Sequence, residues 1–199
     1  RDYVDALGSF FADADKLNHR TRAQALEKSL EALATKYPDD REAAILHSLV
    51  LSANFDPADK QYKNQLRAAA ILEPEFAKQP QHPGVAHYLI HSYDYPPIAA
   101  KGLDAANRYS KIAPAASHAQ HMPSHIFTRV GAWNESIVAN TASAKADKTA
   151  GWNMLHAYDY MVYAHLQLGQ DRAAGIVHDS SFAGTKRTVH FAAAYAYAA

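Results

Sequence analysis

The stretches 121–134, HMPSHIFTRVGAWN, and 156–171, HAYDYMVYAHLQLGQD, decide the fold. Each carries apolar and aromatic residues at helical spacing and reaches a glycine just before its end. Gly131 and Gly169 therefore mark equivalent turns, roughly 38 residues apart, within the 34–40 residue period of two-helix solenoid repeats. Working outward, the same punctuation recurs as proline at Tyr37–Asp40, Glu73–Pro74 and Ala113–Pro114. The helices expected between the breaks are His19–Lys36; Arg41–Ala53 and Asp59–Leu72; Val85–Tyr93 and Ile98–Ile112; His121–Val130 and on to Asp147; and Asn153–Leu168 and on to Val177. Asp, Ser and Asn supply N-caps.

Composition agrees. Eight glycines stand where average usage predicts roughly 14, and no β-branched residues alternate at period two. The expected fold is all-α: about ten helices in five helix-turn-helix repeats, a single array over residues 1–199 with first helices lining the concave face. Leu89, Ile90, Ile126, Phe127, Val130 and Trp133 are its expected core between the third and fourth repeats. The chain opens at Arg1 inside a helical pattern and closes on a helix-like FAAAYAYAA at 191–199, so it reads as a fragment of a longer protein.

Segments such as ATKYPDDREA, AAILEP and YAHLQLG resemble the ends and first-helix turns of tetratricopeptide (TPR) repeats. The aromatic that TPR repeats place before the turn is Phe127 ahead of Gly131, whereas His165 holds it ahead of Gly169. The longer motifs HPGVAHYLIHSYD, HMPSHIFTRVGAW and HAYDYMVYAHLQLGQ resemble a largely uncharacterised bacterial family of TPR-containing proteins. That resemblance implies an exported parent with sequence on both sides of this chain. It implies no enzymatic activity.

Lys and Arg together number 20, as do Asp and Glu, and the formal net charge is +0. No basic stripe marks a nucleic-acid surface. No run approaches the roughly 18 apolar residues of a membrane span. Without cysteine, disulfides, thiolate zinc sites and a Cys nucleophile are excluded.

Histidine carries the candidate chemistry. Of 12, six fall in the runs 82–91 and 118–125, and both runs contain H-x3-H, which sets two imidazoles on one helix face. His87 and His91 belong to the third repeat, His121 and His125 to the fourth. The fifth contributes His156, Asp159, Tyr160 and Tyr163. All eight lie on first helices and are expected to line one ligand groove. Pro123 suggests a helix start, which would leave His121 at a cap, off the helix proper.

Three readings compete. Imidazoles hydrogen-bonded to neighbouring Asp, Tyr or Ser would form a buried polar lattice. A groove would hold a protein or peptide partner. Alternatively His87, His91 and His125 would bind a divalent transition metal, zinc, copper, nickel or iron, with Asp94 or Asp159 as an oxygen ligand. H-x3-H lacks the glutamate of H-E-x-x-H, and no nucleophile elbow surrounds Ser124. The first reading of function is thus a non-enzymatic interaction scaffold, with a metal-binding or metal-dependent protein as the alternative. His19 and His47 read as structural or surface residues.

Overall fold

The computed structural model describes residues 1–148 and 151–183. The 191–199 segment read above as helical lies outside them. The described residues form eleven α-helices and one 3-10 turn, with no strand. The chain divides into two compact units, one ending at Tyr93 and the other beginning at Asp94.

The first unit holds α1 (Asp2–Phe11), α2 (His19–Lys36), α3 (Arg41–Ala53), α4 (Lys63–Lys78) and α5 (Pro83–Tyr93). Each helix packs on the next, and α3 also meets α5. Ala6, Leu30, Leu33 and Ala43 close one end of the core, with Leu26, Leu46 and Val50 against them. Leu51, Leu72, Val85 and Ile90 are fully buried further along. The Asn18 side chain caps α2 by accepting from the Thr21 amide at 2.9 Å.

Both ends of α4 differ from expectation, each for a local reason. The helix expected from Asp59 starts at Lys63. The Asp59 carboxylate instead accepts from the Gln61 and Lys63 amides, both at 2.9 Å, and Tyr62 turns left-handed at φ 55°. Asp59 is therefore spent on the turn that precedes the helix. At the other end α4 does not stop at Pro74 but runs through it to Lys78. Proline forfeits one helical hydrogen bond. The turn beyond it is held by burial of Glu75 and Phe76, and Glu75 takes hydrogen bonds from Lys78 and Gln79.

The HPG motif has a capping role. His82 Nδ1 accepts from the Val85 amide at 3.2 Å, so its Nε2–H donates to Glu42 at 3.0 Å. A Cβ on Gly84 would press on that imidazole at 3.1 Å.

The second unit contains a 3-10 turn (Ala99–Gly102), α6 (Leu103–Ile112), α7 (Ser117–His121), α8 (Pro123–Val130), α9 (Trp133–Ala146), α10 (Trp152–Gln167) and α11 (Asp171–Ala183). The helices α7 and α8 pack on α9, α9 on α10, and α10 on α11. The two diagnostic glycines close α8 and α10 in the same way. Gly131 (φ 77°) and Gly169 (φ 66°) are left-handed. Behind each, two amides turn back: Gly131 to Thr128 and Ala132 to Phe127, Gly169 to Leu166 and Gln170 to His165. This is the Schellman pattern, which needs a residue comfortable at positive φ.

Of the expected core, Leu89, Ile90 and Ile126 are buried, and Phe127 only 9 % exposed. Val130 is not: at 38 % exposed it sits at the rim of the α8 C-terminus. Trp133 is half-buried and meets the Tyr163 ring edge-on at 5.7 Å.

His47, read from sequence as a lone structural or surface residue, is 6 % exposed, and its Nε2 has no hydrogen-bond partner among the described residues. Burial lowers its pKa, and Arg67 opposes protonation too, against the pull of Glu31 and Glu27. With the folded pKa below the unfolded value, the unfolded chain gains a proton that the fold refuses, and stability falls as pH drops below about 6.5. Replacing His47 by Leu should narrow the stability difference between pH 7.5 and 5.5 by up to about 1.4 kcal/mol in urea unfolding. An unchanged difference would show that His47 takes up no proton on unfolding.

Candidate functional site

The chain keeps a helical course where His121 was expected to fall off it. His121 ends α7, Met122 stays right-handed at φ −51° and ψ −38°, and α8 begins at Pro123. Proline forfeits the hydrogen bond at the join, but the geometry on either side is preserved, because it already has the φ of a first helical residue. The i, i+4 relation therefore survives. His121 and His125 bring their Nε2 atoms to 3.0 Å.

Both rings are clamped at the other nitrogen. His121 is 2 % exposed, and its Nδ1 lies 2.6 Å from Asn140 Oδ1. The Asn140 amide is oriented by Nδ2 donating to the Ser136 carbonyl at 2.9 Å. Its Oδ1 can only accept, so the His121 proton sits on Nδ1 and the Nε2 lone pair faces His125. His125 Nδ1 in turn lies 2.8 Å from Asp94 Oδ2 and 3.2 Å from the Tyr160 hydroxyl. Arg129 Nε donates to the other Asp94 oxygen at 2.8 Å.

α10 supplies the remaining wall. His156 and Tyr160 are one turn apart, and both rings contact His121, with centroids at 4.4 and 4.8 Å. Trp152 stacks on His156 with planes 12° apart. Asp159 is buried, with Oδ2 3.9 Å from His156 Nδ1. His156 Nδ1 and Asp159 Oδ1 are both buried without a hydrogen-bond partner among the described residues.

The electrostatics follow from burial first. Burial, reinforced by charge on His125, pushes His121 down to about 3, outweighing the Asn140 hydrogen bond. Burial lowers His156 and His118 as well, again with His125 adding to the effect. Asp159 is pushed up to about 6 by burial. Burial also pushes Asp94 upward, but His125 and Arg129 outweigh it and hold the carboxylate ionised. Buried His121 and His156 are thus held neutral beside the Asp94–Arg129 carboxylate–guanidinium pair.

Beside it opens a cleft of about 420 Å³ lined by Pro96, His125, Thr128, Arg129, Tyr160 and Tyr163. Of the eight residues expected in a groove, the second unit gathers His121, His125, His156 and Tyr160 into one ring cluster. Tyr163 lines the adjoining cleft and Asp159 backs His156. His87 and His91 belong to the first unit, where their Nε2 atoms also approach to 3.0 Å on α5, with His91 exposed. For the suggested metal set of His87, His91 and His125, the second unit gives His125 different neighbours: His121 and His156.

Sequence reasoning missed Asn140, Arg129 and Trp152. Asn140 left a signal. Ser136, Asn140 and Ser143 recur at i, i+4, i+7, and all three are fully buried while Val138 on the same helix is 70 % exposed. The core face of α9 is thus lined by Ser136, Asn140 and Ser143.

No protein-family model matches the chain, and no curated protein matches it in sequence. A solved structure does match in fold: MamA 41-end from Desulfovibrio magneticus RS-1, a TPR-containing protein. The TM-score is 0.66 at 11 % identity, covering 89 % of this chain and 94 % of that one. The chain has a TPR-like, all-α helical fold. No described helix is long and apolar enough to cross a membrane.

Replacing Asn140 by Leu should leave the His121 Nδ1–H buried without an acceptor and cost about 1–3 kcal/mol in urea unfolding. A cost under about 0.5 kcal/mol, as at an ordinary surface site, would show that the contact is not holding the ring.

Proposed function

We propose that this chain is a protein-interaction module that holds an extended peptide segment in the α8–α10 cleft. The observation that carries the reading is the cleft itself. In a TPR-like fold the first helices of successive repeats face the binding side. Here α8 and α10, closed by matching Gly131 and Gly169 caps, frame an opening of peptide dimensions. Its lining of tyrosine, arginine, histidine and proline suits a peptide. Tyrosine and arginine are the residue types that most often dominate binding energy at protein interfaces.

The chemistry favours a partner segment with an acidic side chain. The Arg129 side chain is 41 % exposed, whereas its partner Asp94 is 17 % exposed, so the guanidinium is the accessible end of that pair. The balance of 20 basic and 20 acidic residues argues against a nucleic-acid partner. The resemblance to a bacterial family of TPR-containing proteins, read as implying an exported parent, fits an extracytoplasmic partner.

A displayed random-peptide library panned against the chain should enrich acidic sequences. By fluorescence anisotropy those peptides should lose about 2 kcal/mol or more of binding on Arg129→Glu or Tyr163→Ala. Val138→Glu, on the exposed face of α9, should leave binding unchanged. Failure to enrich any peptide, or equal binding to parent and cleft variants, contradicts the proposal.

A further inference from the structure

We infer that His121, His125 and His156 form a three-histidine site for a divalent transition metal, held by Asn140 and Asp94 from behind. One ligand atom of each histidine lies within 4.8 Å of the other two. The inference does not rest on peptide binding, and it goes beyond it.

The first support is the facing pair. His121 Nε2 presents a lone pair, because its proton is fixed on Nδ1 by the oriented Asn140 amide. His125 Nδ1 points its proton at the Asp94 carboxylate, which leaves its Nε2 3.0 Å from the first. Two neutral imidazoles so anchored would aim two lone pairs at each other. A metal ion between them would take both lone pairs. A tetrahedral ion with bonds of about 2.0–2.1 Å spaces its ligand nitrogens about 3.3–3.4 Å apart, close to the observed separation.

The outer contacts are the second support. Metal-binding imidazoles usually give their remaining N–H to a carbonyl or carboxylate, which fixes tautomer and ring angle. Asn140 does this for His121 and Asp94 for His125. The third support is His156, which brings a further imidazole against His121 while its buried Nδ1 has no hydrogen-bond partner among the described residues. Asp159, at 3.9 Å from that nitrogen, is placed to orient the ring. A small swing of the half-buried His156 closes the set. Three protein nitrogens leave the fourth position of a tetrahedral ion to solvent or an added ligand. With imidazole ligands and no thiolate, zinc and cobalt(II) suit the site.

The test uses the untagged full chain, stripped with chelator and titrated with zinc by calorimetry and with cobalt(II) by visible absorption. The expected result is one ion per chain at the cluster, with the intense visible bands of low-symmetry cobalt bound by nitrogen. His156→Ala should weaken that ion's binding by at least about 100-fold, more than the 10–100-fold typical of a lost outer contact. Asp94→Asn, which keeps all three ligands, should weaken it by about 10–100-fold. It also serves if circular dichroism shows His156→Ala to be unfolded. A His87→Ala, His91→Ala double variant should keep the ion. No ion bound at micromolar zinc, affinity in the His156 and Asp94 variants unchanged from the parent chain, or loss of the ion only in the double variant overturns the inference.

Discussion

Asn140 accepts the Nδ1 proton of His121 at the centre of the second unit, and the character of the histidine cluster follows from that contact. It fixes a tautomer, a ring plane and a lone-pair direction for a ring that is only 2 % exposed. An unpaired group there would cost much more than at the surface. The contact in turn needs the face of α9 lined by Ser136, Asn140 and Ser143 turned inward, with Ser136 orienting the amide through its carbonyl. α9 therefore serves as a polar spine, and α7, α8 and α10 pack around it.

Much of the helical frame was legible in sequence because turns are local chemistry. A left-handed cap demands glycine, so Gly131 and Gly169 declare the ends of α8 and α10 in any context. His19–Lys36 and Arg41–Ala53 stand as read, since Asn18 and Asp40 cap them. Pro74 misled for the opposite reason. Proline weakens a helix by a fixed amount, but burial of Glu75 and Phe76 beyond it outweighs that loss, and burial is tertiary information. Asp59 misled because a carboxylate that caps a helix also makes the tight turn before one, and only the Tyr62 backbone reveals which.

The candidate site was half legible. Spacing alone brings His87 to His91 and His121 to His125, and both pairs reach the same 3.0 Å separation. Spacing says nothing of what stands behind the rings. His121 is buried against Asn140, whereas His91 lies at the surface. Asn140 itself was hidden by its company: a stripe of Ser, Asn and Ser at helical spacing looks like a solvated face until the neighbouring helices are in place. Arg129 was hidden as an ordinary surface cation and acts instead as the outer brace of Asp94.

The most direct test is the tautomer of His121, read from long-range nitrogen–proton NMR correlations of the 15N-labelled chain at neutral pH. The account predicts a neutral ring with its proton on Nδ1, and an unprotonated Nε2, with or without added zinc. A His121 ring protonated at Nε2, or at both nitrogens, would mean that Asn140 does not set the ring, and the geometry argued here for the whole cluster would be wrong.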